Sequence, residues 1–373
     1  MAGRTYSPVE MIRRLVAFDT TSRNSNLDLI QFVADYLERH RIESALSFDE
    51  GRNKANLFAT LGPDGDGGIV LSGHTDVVPV DGQDWHTDPF SVVEKEGRLY
   101  GRGTADMKSF IAAGLALVPE FLRRGLHTPV HLALTYDEEV GCIGVHGLIE
   151  QIREAGVRPR LAIIGEPTEM RVVNAHKGLR SFHTTVTGLE GHSSATHKGV
   201  SAIAIAAELI HHLTELAEEM KGRAAAASGF DPPYTTINVG TVSGGTAMNI
   251  IPKECGFVWE YRALPGDDAD EVHTRFQRFA DGLISRMRAI APGANIVTED
   301  GGAVPGLVPE DGSPAESLAI ALTGGNRSYK VSFGTEAGIF QGAGIPAVVC
   351  GPGSVNQAHK PDEFIALSEV EAC

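Results

Sequence analysis

Two histidines and a set of carboxylates, most of them just after a short apolar run, are the residues through which this chain could do chemistry. They stand in Gly73-His74-Thr75-Asp76, Thr104-Ala105-Asp106-Met107-Lys108, Asp137-Glu138-Glu139, Gly165-Glu166-Pro167-Thr168 and Ala358-His359-Lys360. An α/β sheet delivers ligand-binding groups at the carboxyl ends of its strands. Histidines and carboxylates converging there can hold one or two divalent metals of hard to borderline character. His74 ends an apolar run and Asp76 follows two residues on, so Asp76 is placed to take the second ring N–H of a ligating His74. Asp106 precedes a helical pattern, where a carboxylate is favoured electrostatically in any case. Glu138 and Glu139 are adjacent and point in different directions, so one can bind metal while the other faces a substrate as a base. Each residue alone has a plain structural explanation: an aspartate at a helix start is usually a cap, and a Glu-Glu pair is usually a solvated surface.

The elements that must position these residues alternate between strand and helix. Ser7-Pro8-Val9-Glu10 is a capping box with proline in the first turn, followed by Val9, Ile12, Leu15 and Val16 at helical spacing. A second helix is predicted from Asn26 to His40, and a long one from near Lys108 to near Gly125, a C-terminal stop. Buried strands are predicted at 55–60, 68–72, 130–136, 161–164 and 346–350. Such alternation predicts a mostly parallel, covered α/β sheet. Between Gly178 and about Asp300 the pattern changes to β-α-β-β-α-β, the order of a ferredoxin-like α+β unit. The expected organisation is a first domain made of 1–177 and 301–373, with 178–300 inserted into it.

Composition narrows the classes. At 373 residues the chain exceeds what one core usually supports, and its 42% hydrophobic content excludes disorder. The formal charge of −16 disfavours nucleic acid and anionic membrane as partners and is compatible with a cationic substrate. No apolar run reaches membrane-spanning length, and Met1 to Arg14 lacks the apolar stretch of a signal peptide. Cys142, Cys255, Cys350 and Cys373 form no C-x-x-C pair, so neither a disulfide framework nor a thiolate zinc site is indicated. A cytoplasmic location is expected. Cys142 reads as a small packed residue. His211 and His212 fall on the exposed side of a predicted helix, and His86, His127, His131, His146, His176, His183, His197 and His273 carry no pattern that assigns chemistry.

Ser72-Gly73-His74-Thr75-Asp76-Val77-Val78-Pro79, followed by Gly101-Arg102-Gly103-Thr104-Ala105-Asp106-Met107-Lys108, resembles the signature of the co-catalytic zinc aminoacylases and carboxypeptidases. That family includes acetylornithine deacetylase, succinyl-diaminopimelate desuccinylase and carboxypeptidase G. The resemblance runs from Ser7 to Phe364. It implies two zinc ions, with cobalt as the alternative, bridged by Asp106. His74 and Glu166 would complete one ion, Glu139 and His359 the other. Glu138 would be the general base and Asp76 would orient His74. The Asp106–Met107 bond is cis in relatives.

The inserted segment is similar to the family's lid and dimerisation domain. Gly191-His192-Ser193-Ser194 resembles the segment whose histidine reaches the active site of a partner subunit, which implies a homodimer. Asn249 and Arg262 match substrate-contacting positions, and the planar fork of Arg262 suits an α-carboxylate. Many relatives have Asp where this chain has Glu260.

Within the family, Phe333-Gly334-Thr335-Glu336-Ala337 and Gly351–His359 most resemble enzymes that hydrolyse N2-acetyl-L-ornithine in arginine synthesis. Gly334 and Glu336 are therefore candidate substrate residues, Glu336 for a side-chain ammonium, although a structural loop carboxylate explains it equally well. The alternatives are a related aminoacylase, desuccinylase or dipeptidase using the same site, and a non-catalytic metal-binding relative. The complete set of metal and base residues argues against the last. A Rossmann-type dehydrogenase is set aside because no G-x-G-x-x-G follows the early strands.

Overall fold

The computed structural model describes residues 5–63 and 66–373. The first four residues of the stretch examined for a signal peptide, which also open the expected first domain, lie outside them. The chain divides into two compact units, each described here by itself. The first takes the chain up to Ala175 together with Leu307–Lys330 and Thr335–Cys373; the second takes His176–Gly306 and Val331–Gly334.

In the first unit, α1 (Pro8–Val16) begins as its sequence dictates: Ser7 caps the Glu10 amide while the Glu10 carboxylate accepts from the Ser7 amide. α2 (Leu27–Arg39) follows, then β1 (Ser44–Phe48), β2 (Ala55–Leu61), β3 (Ile69–His74), β4 (Val93–Lys95) and β5 (Arg98–Tyr100). The single helix expected from Lys108 is two, α3 (Lys108–Ala116) and α4 (Val118–Arg124). Pro119 explains the break: it cannot donate to the preceding turn, and it is tolerated in the first turn of α4. Next come β6 (Val130–Thr135), α5 (Gly144–Glu154), β7 (Leu161–Pro167) and β8 (Val173–His176).

In the second unit the order is β9 (Gly178–Thr187), α6 (Ala202–Gly222), β10 (Thr236–Gly244), β11 (Glu254–Ala263), α7 (Glu271–Arg288) and β12 (Asn295–Val304). After it the chain forms α8 (Pro314–Thr323), β13 (Tyr329–Val331), α9 (Ala337–Gly342), β14 (Ala347–Gly351) and β15 (Phe364–Ala366).

The large sheet runs β1-β2-β6-β3-β7-β14-β8-β13. Its centre, β6-β3-β7-β14, is parallel, while β1-β2, β2-β6 and β14-β8 are antiparallel. The parallel strands are buried along most of their length. Met11, Ile12, Leu15, Leu29 and Val33 pack with Leu57, Leu132 and Leu134 in one core. Ile163, Val348, Ala315 and Ala319 belong to another. A small sheet ordered β15-β5-β4 pairs Phe364 with Tyr100.

The second unit is a four-stranded antiparallel sheet ordered β10-β11-β9-β12. This is the ferredoxin-like arrangement that the element order predicts. α6 and α7 contribute Leu209, Leu213, Leu216, Phe276 and Leu283 to its core. Each fully buried leucine there contributes roughly 1.5–3 kcal/mol. His212, expected on the exposed side of its helix, is instead half-buried and stacks on Phe279 with ring centroids 4.2 Å apart. No helix of the described residues is long and apolar enough to cross a membrane.

Candidate metal centre

The parallel core of the sheet brings the expected residues together. His74 is the last residue of β3, and its neighbours in the sheet are β6 and β7. Glu138 and Glu139 lie in the turn that leaves β6, and Glu166 is near the end of β7. Strands about 4.8 Å apart that end together must deliver their following residues to one place. β7 can approach so closely because residue 165 is glycine: a Cβ there would stand 2.0 Å from the Phe110 ring. Asp106 comes from the loop before α3, with a cis Asp106–Met107 peptide. His359 arrives from the β14–β15 connection at φ 62°, a region histidine enters more readily than most residues.

Asp106 stands between the histidines. Its Oδ1 is 3.1 Å from His74 Nε2 and its Oδ2 is 3.3 Å from His359 Nε2. His359 Nε2 is also 3.0 Å from Glu139 Oε2, and His74 Nε2 is 3.7 Å from Glu166 Oε1. His74, Asp106 and Glu139 offer ligand atoms within 4.8 Å of one another, and so do His74, Glu138 and Glu166.

The charge balance points to a cation. Glu139 Oε1 and Glu166 Oε1 are buried with no hydrogen-bond partner among the described residues, which is costly for a carboxylate unless something positive faces it. Burial is the largest cause raising the pKa of Glu138, Glu139 and Glu166. Burial acts to lower that of His74, yet Glu166, Asp106 and Asp76 raise it well above the ordinary histidine value. Asp106 is shifted down, because its bonds to His359 and His74 outweigh its burial. A divalent ion would supply the charge these carboxylates otherwise draw from protonated histidine, so the donors fit such an ion.

Asp76 lies beside the His74 ring and binds elsewhere as well. The His74 Nδ1 position lies 3.0 Å from the Asp76 backbone carbonyl and 3.5 Å from its carboxylate. That carboxylate also accepts from Ser22 Oγ at 2.7 Å and from the amides of Glu138 and Glu139 at 3.1 and 3.3 Å. Lys54 reinforces the same turn by donating to the Ser22 carbonyl and to Asp137. Cys142 is packed as expected, and its thiol donates to Glu138 Oε1 at 3.4 Å. Burial and the neighbouring carboxylate push that thiol's pKa up.

Sequence reasoning missed Ser22, Lys54, Gln83 and Glu363. Their ties to the site run largely through backbone groups, which no residue pattern records.

Glu336, expected to face a substrate ammonium, is 1% exposed, and Ser72 Oγ donates to it at 3.5 Å. Burial raises its pKa to about 7. Its Oε1 is buried with no hydrogen-bond partner among the described residues.

The other candidates lie in the second unit. The Ser193 amide donates to the Asn249 carbonyl at 3.1 Å, and His192 bridges to Ile250, so His192 and Asn249 are neighbours. The exposed His192 caps its own turn, accepting from the Ser194 amide at 3.2 Å. Arg262 lies on β11, its Nε held by Glu260 at 3.0 Å, so the substitution of Glu for Asp at 260 touches the arginine directly. Gly334 belongs to this unit as well.

The profile of Peptidase family M20/M25/M40 matches residues 70–373. Acetylornithine deacetylase of Proteus mirabilis (strain HI4320) is 37% identical over 371 residues, covering 97% of this chain and 93% of that protein. Acetylornithine deacetylase of Myxococcus xanthus is 38% identical over 371 residues, with the same coverages of 97% and 93%. Among solved structures, an M20 family metallo-carboxypeptidase from Sulfolobus solfataricus superposes with a TM-score of 0.78 at 18% identity, covering 98% of this chain and 96% of that one. Site and relatives together define a metal-dependent hydrolase acting on amides. The chain belongs to peptidase family M20/M25/M40.

Proposed function

We propose that the protein hydrolyses N2-acetyl-L-ornithine to ornithine and acetate, a step of arginine synthesis, as a cytoplasmic homodimer paired through its inserted domain, 178–300. The observation that carries the substrate is identity of 37% and 38% to two acetylornithine deacetylases over nearly the whole chain.

Asp106 would bridge two divalent ions, zinc or alternatively cobalt. The placement of its two oxygens toward different histidines supports this. His74 and Glu166 would complete one ion, Glu139 and His359 the other. Two such ions, when bound, polarise a scissile carbonyl and make water a stronger acid. Glu138 takes the proton of the attacking water and delivers it to the leaving amine. Asp76 holds the turn that carries this base. Arg262, with Nε already engaged by Glu260, would use its remaining N–H groups on the substrate α-carboxylate. Asn249 and Gly334 would line the substrate site. His192, from the partner subunit, would donate to the oxyanion.

The test is kcat/KM for a panel of N-acyl amino acids with zinc- and cobalt-loaded protein. N-acetylornithine is expected to exceed N-succinyl-diaminopimelate, N-acetylmethionine and dipeptides. An equal or higher value for any of these would overturn the substrate assignment while leaving the reaction class intact.

A further inference from the structure

A polar frame with a buried centre at Arg102 and Glu363 joins the loop that carries Asp106 to the loop that carries His359. Arg102 and Glu363 are paired at 2.6 Å with side-chain exposures of 1% and 0%. Glu363 Oε1 accepts from the amides of Ala105 at 2.8 Å and Asp106 at 3.1 Å. Arg102 Nη1 donates to the Lys360 carbonyl at 3.3 Å, and its Nη2 donates to Gln83 Oε1 at 2.6 Å. Gln83 closes the frame by donating from Nε2 to the His359 carbonyl at 2.9 Å. Trp85 donates to Gln83 Oε1 at 3.0 Å, and its ring lies 5.1 Å from the Arg102 guanidinium. The Gly101 amide donates to the Glu363 carbonyl at 2.9 Å, continuing the β5–β15 pairing.

A buried ion pair is a poor source of stability, since well-packed apolar residues often serve as well. What this one does that apolar residues cannot is fix backbone amides and carbonyls at set distances. The amides it fixes are those of Asp106, the residue between the two histidines, and of Ala105 before it, and the carbonyls belong to His359 and Lys360. His74 and Glu166 lie outside the frame; the sheet itself positions them.

We infer that Arg102, Glu363 and Gln83 are positioning residues that set Asp106 and His359 to the spacing of one metal centre. The inference rests on the two-ion reading above. Outer partners of this kind typically change metal affinity 10–100-fold.

The discriminating variant is Gln83→Glu. It keeps an oxygen for Arg102 and Trp85 but cannot donate to the His359 carbonyl. Metal-free wild type, Gln83→Glu and His359→Ala are titrated with Zn²⁺ by calorimetry, and the Tm of each metal-free form is measured. Wild type is expected to show two binding steps. Gln83→Glu should weaken by about 10-fold or more the step that His359→Ala abolishes, with the other step and the metal-free Tm unchanged. Gln83→Ala should show the same selective loss. Two unchanged steps in both Gln83 variants would overturn the inference alone, and so would equal weakening of both steps with a lowered Tm. A wild type that binds no zinc, or a His359→Ala protein that keeps both steps, would overturn the two-ion reading and this inference with it.

Discussion

His359 Nε2 lies 3.0 Å from Glu139 Oε2, and the two side chains are 54% and 7% exposed. The other histidine, His74, is 1% exposed. The centre thus has an open side and a closed side. His359→Ala is expected to reduce bound metal from two equivalents per chain to about one, and in wild type a limiting chelator should remove the ion on the His359 side first. Elemental analysis checks the first expectation; two retained equivalents would strike His359 from the ligand set.

Glu138→Ala should keep both metals and lose at least ~10²-fold in kcat, the usual scale for a missing general base. The Asp76 bond to the Glu138 amide and the bonds of the Gly141 and Cys142 amides to the Glu138 carbonyl do not use the Glu138 carboxylate, so the turn should persist. Turnover near wild type, with metal content confirmed, would reject Glu138 as the base.

If His192 serves a partner's site, two inactive variants should complement. His192→Ala and Glu138→Ala subunits, mixed under conditions of verified exchange, should regain activity because a hybrid pair holds one complete site. Removal of one oxyanion donor costs about 10²–10³ in kcat, so the recovered signal stands well above either parent. No recovery, or a fully active monomer, would show that His192 acts within its own chain or not at all.

His176 is fully buried, and burial lowers its pKa to about 4 despite its bond to the Lys177 carbonyl. The folded chain therefore holds it neutral, whereas the unfolded chain protonates it near 6.5. Its contribution to stability is complete above about pH 6.5 and is lost as pH falls toward 4, a total of about 3 kcal/mol. Between pH 7.5 and 4.5, His176→Gln should lose about 2–3 kcal/mol less than wild type in urea unfolding. Equal losses would show that His176 does not titrate with unfolding.

His74, Glu138, Glu139 and Glu166 were legible because they follow apolar runs, and parallel strands carry such positions to one edge; Asp106 and His359, on loops, were legible only through the family resemblance. The ferredoxin-like order was legible for a similar reason: the periodicity of 180–187 and of the two long helices is local. The break at Leu117 was also written in the sequence, in Pro119, but the apolar spacing on either side masks it. Glu363 was not legible. Besides Arg102, its partners are the backbone amides of Ala105 and Asp106, 258 and 257 residues away, and any residue type other than proline presents the same amide. Asp76 was read for its nearness to His74 in sequence, whereas the amides of Glu138 and Glu139, which it binds, become neighbours only when β3 and β6 pair.

The position of Asp76 has a consequence for how this site can change over generations. Its carbonyl faces the His74 ring, while its carboxylate grips the amides of the proposed base and of a proposed ligand. The turn it grips holds Asp137 and Cys142 at φ 56° and 55°, conformations that do not persist without outside support. A substitution at 76 therefore cannot be tried on ion binding alone or on proton transfer alone; it disturbs both in one mutational step.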